Sequence, residues 1–303
     1  MSAAISEKKS DDTMMMLICV SCGTAEGDDV KLKDCSACHL VKYCSVKCQK
    51  DHWPQHKKEC KKRAAELHDE ILFKQPECNH EGDCPICMIP LPLDVSVTTM
   101  MTCCGKIVCC GCYHANKMRE IKERLQQKCP FCRKVVPKTE KEVNEQFMKR
   151  IEANDPFAIC DMGTIKCNEG DYKSAFEYFT RAAVLGDVKA HFQLSTLYHE
   201  GKGIEKDEIR SLHHLTEAAI RGHPTARHNL GCVEKDNGNK KRAAKHFIIA
   251  AKLGYDESLE CVKILYEAGY VSKEDFAAAL RGHQAAIAAT KSPQREEATT
   301  FYS

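Results

Sequence analysis

Twenty-one cysteines are spread unevenly over the 303 residues: seventeen lie between Cys19 and Cys132, and only Cys160, Cys167, Cys232 and Cys261 follow. Several fall as Cys-x-x-Cys, among them Cys19/Cys22, Cys35/Cys38, Cys84/Cys87, Cys109/Cys112 and Cys129/Cys132. Such a pair offers two thiolates from one tight turn, half of the closed four-ligand shell that structural zinc takes. Oxidation to disulfides is the competing chemistry, and the compartment decides between them. Residues 1–16 are of mixed charge, and Met14–Val20 supplies seven consecutive apolar residues, too few for a signal-peptide core or a bilayer span. The expectation is an intracellular protein, cytoplasmic or nuclear, with reduced thiols, bound metal and no membrane association.

In the first cluster the Cys-x-x-Cys pairs are followed by Cys44-x-x-x-Cys48 and His56-x-x-x-Cys60, whose i, i+4 spacing puts each pair on one face of a helical turn. Eight ligands make two zinc sites. The stretch YCSVKCQKDHWPQHKKEC, with all eight ligand spacings, resembles a MYND finger. The resemblance implies interleaved pairs: Cys19, Cys22, Cys44 and Cys48 on one zinc, and Cys35, Cys38, His56 and Cys60 on the other. It leaves His52 as a packing or surface residue. Trp53 is either core packing or part of a groove for short proline-containing motifs, which MYND fingers dock. The lysines around this stretch read as a solvated face. Nucleic-acid binding is not favoured, because interleaved stacking aromatics are lacking.

Cys84-Pro85-Ile86-Cys87 opens a second cluster and Cys129-Pro130-Phe131-Cys132-Arg133 closes it, with TCCGKIVCCGCYHAN between them. The arrangement resembles a RING finger, whose middle reads C-G-H-x-x-C-x-x-C. Cys104, Cys109 and Cys112 fit that frame, but Lys106 stands at the histidine, and an ammonium has no lone pair for a metal. Cys103 lies beside Cys104, so the pair can serve as third and fourth ligands. The result is similar to the all-cysteine RING of the Ccr–Not complex's ubiquitin ligase subunit, although there one residue separates the third and fourth cysteines, which here are adjacent. The resemblance implies one zinc on Cys84, Cys87, Cys109 and Cys112 and another on Cys103, Cys104, Cys129 and Cys132, with His114 as the alternative to the adjacent pair. Cys78, His80 and Cys110 are spare. RING ligases carry no catalytic residue of their own. By resemblance Ile86 and Pro130 would touch a ubiquitin-conjugating enzyme, and Arg133 would bridge to ubiquitin.

These ligands need little core of their own, because modules this small and lysine-rich fold around metal. The rest of the chain is different. Thr139-Glu140-Lys141-Glu142 has the form of a capping box, and Val143, Phe147 and Ile151 follow at helical spacing, predicting an amphipathic helix that ends near Asp155-Pro156. Beyond it the pairs Ala182-Ala183, Ala218-Ala219 and Ala250-Ala251 recur, each followed by a glycine (Gly186, Gly222, Gly254) at intervals of 36 and 32 residues. Periods of this size signal helix pairs stacked in a solenoid. A degenerate fourth unit holds Ala277–Ala279 and Gly282, and each of these glycines is expected where a helix must stop. Leu197–Asp207 (LYHEGKGIEKD) resembles the loop of Sel-one-like repeats, relatives of the tetratricopeptide repeats, which implies a protein-binding scaffold.

The expected organisation is therefore multidomain: two small zinc-stabilised cross-brace modules followed by an all-α solenoid of helix-pair repeats. The segments are a disordered 1–16, a MYND-type finger at 17–62, a helical linker at 63–77, a RING-like finger at 78–136, a connecting helix at 139–154, the repeats at 155–290 and a flexible tail at 291–303. Four zinc ions are expected. No ligand lies beyond Cys132, so the zinc-binding and helical halves should be independent. A formal charge of +2 with 29% charged residues implies no polyelectrolyte role. The functional expectation is a protein-interaction adaptor acting as a RING-type ubiquitin ligase, with a non-catalytic scaffold as the alternative. A MYND-associated methyltransferase would need a SET domain, and the repeats occupy the space where it would be.

Overall fold

The computed structural model describes residues 18–302, so the disorder expected over 1–16 lies outside the described residues. The chain divides into two compact units, one ending at Lys74 and the other beginning at Gln75.

In the first unit, strand β1 (Lys33–Asp34) pairs antiparallel with β2 (Lys42–Tyr43). Ser45 then caps helix α1 (Val46–Leu72), its hydroxyl accepting from Cys48 N–H at 3.2 Å. This one helix carries Cys48, His56 and Cys60 and runs on through most of the stretch expected as a separate linker. No break marks residue 62, and residues 73–77 are not helical. Leu32 and Tyr43 are buried with the cysteines, and few other large apolar groups are. That core is too small to hold the unit without additional ties.

The second unit opens with the second cysteine module. Strands β3 (Thr98–Met100) and β4 (Ile107–Cys109) pair antiparallel, with Thr99 opposite Val108, and β4 leads directly into helix α2 (Cys110–Lys122). Leu91, Met101 and Val108 fill the space between the sulfurs. Helix α3 (Glu140–Glu152) starts at Thr139 as its sequence predicts. The Thr139 hydroxyl accepts from Glu142 N–H at 3.2 Å, while the Glu142 carboxylate reaches one residue further back, to Lys138 N–H at 2.8 Å. Phe147 and Ile151 are its buried stripe.

The repeats follow as α4 (Pro156–Asn168), α5 (Tyr172–Val184), α6 (Val188–Glu200), α7 (Glu208–Ile220), α8 (Pro224–Asp236), α9 (Lys240–Lys252), α10 (Asp256–Glu267) and α11 (Lys273–Ala289). Gly186, Gly222 and Gly254 stop α5, α7 and α9 at φ of 93°, 87° and 90°. In each case the next residue's N–H returns to the carbonyl of Ala182, Ala218 or Ala250. A side chain there would strain the left-handed backbone, which glycine adopts freely.

The eighth residue of each paired helix carries a second regularity. Gly163 and Phe179 hold it in α4 and α5, Ser195 and Leu215 in α6 and α7, and Gly231 and Phe247 in α8 and α9. A Cβ on Gly163 or Gly231 would sit 2.6 Å from the ring of Phe179 or Phe247. The large ring thus demands a residue without a side chain opposite it, and the smaller leucine coincides with a serine.

Three expectations need correction. Gly282 does not end a helix: α11 runs through it, and the space its missing Cβ leaves is used by Lys252 Cγ, 2.6 Å away. Over 291–302 the expected flexible tail is not observed. Pro293 opens helix α12 (Pro293–Tyr302), Ser292 accepts Arg295 N–H, and the helix buries Arg295 and Ala298 against the second cysteine module. Finally, that module and the repeats, expected to be independent, are in direct contact. Glu81 is ion-paired with Lys189 of α6 at 2.8 Å, the His80 ring stacks on His223 at 4.2 Å, and His80 N–H donates to Gly222 O at 3.1 Å. These contacts join segments far apart in sequence, which local periodicity does not encode.

Candidate metal centres

Four clusters of ligand atoms form, each with all its atoms within 4.8 Å of one another. They are Cys19, Cys22, Cys44 and Cys48; Cys35, Cys38, His56 and Cys60; Cys84, Cys87, Cys109 and Cys112; and Cys103, Cys104, Cys129 and Cys132. In both modules the pairs interleave, so each site ties together segments distant in sequence. Tetrahedral zinc with Zn–S bonds of about 2.3 Å places its sulfurs roughly 3.8 Å apart. Cys35–Cys60 (3.7 Å), Cys87–Cys109 (3.8 Å) and Cys104–Cys129 (3.8 Å) match that figure. Cys103–Cys132 (3.3 Å) is somewhat closer, and the Cys38 sulfur lies 3.3 Å from His56 Nε2. All of these cysteines are free thiols. The donor sets, three of four sulfurs and one of three sulfurs with an imidazole, fit four zinc ions.

The turns that present the sulfurs share one geometry. In Cys19–Gly23, Cys35–His39, Cys84–Met88 and Cys129–Arg133 the fifth residue's N–H donates to the first cysteine's carbonyl at 2.8–3.0 Å. That fifth residue has φ between 55° and 76° in all four. The adjacent Cys103 and Cys104 use the same turn. Gly105 N–H donates to Met101 O at 2.7 Å, and Gly105 has φ of 70°. Met101 therefore stands where a first cysteine would be and is buried in the module's core, while Cys103 supplies the sulfur from the middle of the turn. Adjacency costs no unusual backbone. Cys109 is presented differently: it caps α2, its sulfur accepting from Cys112 N–H at 3.5 Å.

Proton sharing among the thiols shows how closely they are held. The hydrogen bond between Cys84 and Cys109 holds Cys84 at about 4 and pushes Cys109 up. In the first module the Thr24 hydroxyl holds Cys22 at about 6, and the contact with Cys22 pushes Cys44 up to about 12. One thiol gains the charge its neighbour cannot also carry. A divalent cation removes that competition, since it ligates all four as thiolates.

The remaining candidates are placed as follows. His114, the alternative ligand, lies outside the clusters, its ring 4.7 Å from Phe301. His52 is also outside, its Nδ1 3.0 Å from the Tyr43 hydroxyl and its ring stacked on His56. Cys78 is exposed, and the Cys110 sulfur is 3.9 Å from Arg295 O. Trp53 is 39% exposed and meets His56 edge-on. Ile86 is likewise 39% exposed, Pro130 is half-buried, and Arg133 is exposed, with Nη1 3.4 Å from Asn116 Oδ1. Sequence reasoning missed Arg295, which donates to the Cys87 sulfur. A signal was available in Ser292-Pro293, a cap residue followed by a first-turn proline.

Interleaved ligands on a β-hairpin and the first turns of a capped helix are matched, over residues 19–60, by the family model for the MYND finger. Residues 19–60 are a MYND finger. Residues 162–187, 188–223 and 226–255 match the Sel1 repeat. Over 31 residues, 10% of this chain and 7% of the relative, the sequence is 64% identical to human histone-lysine N-methyltransferase SMYD3. A SET domain and MYND-type zinc finger protein of Schizosaccharomyces pombe is 44% identical over 52 residues, 17% of this chain and 11% of the relative. The mouse DAP3-binding cell death enhancer 1 is 24% identical over 181 residues, 46% of this chain and 36% of that protein. The chain thus spans little more than a third, or far less, of these curated relatives. Among solved structures it is similar to a Sel1 repeat protein from Oxalobacter formigenes, with 25% identity and a TM-score of 0.43 over 59% of this chain and 72% of that one. A MYND finger joined to Sel1 repeats makes a zinc-binding protein-interaction adaptor. No helix among the described residues is long and apolar enough to cross a membrane.

Proposed function

We propose that this adaptor is a RING-type ubiquitin ligase, in which the second cysteine module receives a ubiquitin-conjugating enzyme while the MYND finger and the repeats hold the partner to be modified. The observation that carries the reading is the second module's pair of interleaved four-cysteine clusters, with Ile86 and Arg133 exposed on its first and last knuckles. Neither residue is needed to fill the core. Ile86 offers an apolar contact, and Arg133 offers a guanidinium whose fixed fork suits bridging two proteins at once. On the MYND finger, the half-exposed Trp53 is the anchor for a short proline-containing segment, with an apolar face for the ring and an indole N–H for a backbone carbonyl.

The test is discharge of ubiquitin from a panel of charged conjugating enzymes by the zinc-loaded full chain. Discharge is expected with at least one enzyme. Arg133→Ala should slow it at unchanged zinc content, and Ile86→Ala should weaken enzyme binding. If no enzyme of the panel is discharged, the reading fails. The second reading is then a scaffold without transfer, favoured by the ties that join the second module to the repeats through Glu81–Lys189 and His80–His223.

A further inference from the structure

Arg295 lies on α12, more than 160 residues beyond the last ligand, yet the residue is 5% exposed and its guanidinium reaches the first knuckle of the second module. Nη1 donates to Pro90 O and Thr290 O, each at 2.7 Å. Nη2 donates to Ile89 O at 3.0 Å and to the Cys87 sulfur at 3.6 Å. The helix comes this close because α2 has a glycine where they meet: a Cβ on Gly111 would stand 2.9 Å from Arg295 N and Gln294 C. Phe301 against His114 holds the far end, and Ala298 is fully buried between.

A buried guanidinium is costly unless an opposite charge answers it. The carbonyls of Ile89, Pro90 and Thr290 accept from its two Nη atoms but carry no net charge, and its buried Nε has no hydrogen-bond partner among the described residues. The matching charge is that of the cluster itself. Four thiolates around one divalent ion leave two net negative charges, in a place where burial has removed most of the water that would otherwise screen them. The Cys35 sulfur in the MYND finger takes a neutral donor instead, Gln49 Nε2 at 4.0 Å.

We infer that Arg295 is the counter-charge of the zinc site formed by Cys84, Cys87, Cys109 and Cys112, so that the C-terminal helix sets the metal affinity of that one site among the four. It is a positioning residue, acting on the metal through Cys87. The inference rests on zinc binding and holds whether or not the module serves a conjugating enzyme.

The test uses the zinc-loaded full chain, challenged with an excess of the chelating dye 4-(2-pyridylazo)resorcinol, and compares Arg295→Met with Arg295→Lys. Methionine keeps much of the apolar stem and removes the charge, whereas lysine keeps the charge and loses the fork. Arg295→Met should weaken the binding of one zinc of the four by roughly 10–100-fold, the loss of affinity typical when an outer-shell partner is removed, and release it correspondingly faster. Arg295→Lys should stay much closer to the wild type. In cadmium-113 spectra of the substituted protein, one four-sulfur resonance should move in Arg295→Met while the resonance of the three-sulfur, one-histidine site stays in place. Unchanged release from Arg295→Met would overturn the inference. So would equal acceleration by both variants, which would make Arg295 a hydrogen-bonding tie, or acceleration spread over all four sites, which would mark general unfolding.

Discussion

Transplanting the middle repeat's residue pair into the last one, Gly231→Ser together with Phe247→Leu, tests whether the two positions form one packing unit. Phe247 is fully buried, and its Cε1 would lie 2.6 Å from a Cβ at residue 231. Gly231→Ser alone therefore overpacks a rigid ring. Overpacking costs about 1–3 kcal/mol. Better helix propensity offsets roughly 0.5 kcal/mol of it. Phe247→Leu alone removes ring volume from a filled core and should cost about 1–2 kcal/mol, between the values for losing one methylene and a whole ring. Together the serine occupies part of the space that the ring vacates. The double variant should then cost about 1 kcal/mol, less than the sum by roughly 1–3 kcal/mol, as residues in direct contact do. Urea titration of the zinc-loaded protein, followed by helical circular dichroism, measures all four species. Single-variant costs that add to within about 0.5 kcal/mol would refute direct packing between the two positions.

Four further outcomes are expected. Metal analysis should find four zinc ions per chain, and two or fewer in a folded protein would contradict the second module's clusters. Cys103→Ala should leave three ions, and adding Met101→Cys should restore the fourth by returning the turn to Cys-x-x-Cys; no restoration would refute the shared turn geometry. Stripping zinc should also lower the melting midpoint of the repeat helices, because Glu81, His80 and Arg295 join them to the second module; an unchanged midpoint would mean the ties carry no energy. His223 is held neutral by burial, its pKa lowered to about 3. As pH falls below about 6.5 the unfolded chain takes up a proton there that the folded chain refuses. The repeats should lose about 2 kcal/mol at pH 5 through this group, and His223→Asn, which keeps a capping side chain, should lose correspondingly less when the two are titrated with urea at pH 7 and pH 5.

The grouping of the candidate ligands was legible in the order of residues because zinc coordination is local in its first step. A Cys-x-x-Cys turn or an i, i+4 pair on a helix is set by backbone geometry over five residues, and four-fold coordination then limits how such pairs combine. The repeat period was legible for a similar reason, since every unit must stop its helices and pack small residues at the same register. The stop at Gly282 failed because a glycine is kept for either of two reasons, a left-handed turn or a close approach, and the residue alone does not say which. Only the tertiary structure decided that the last helix packs on the second zinc module, that Met101 completes the turn beside two adjacent cysteines, and that the guanidinium of Arg295 meets the sulfur of Cys87. Those contacts join segments up to 208 positions apart. Burial and charge balance select them once the whole chain has folded, and neither leaves a period or a spacing in the sequence.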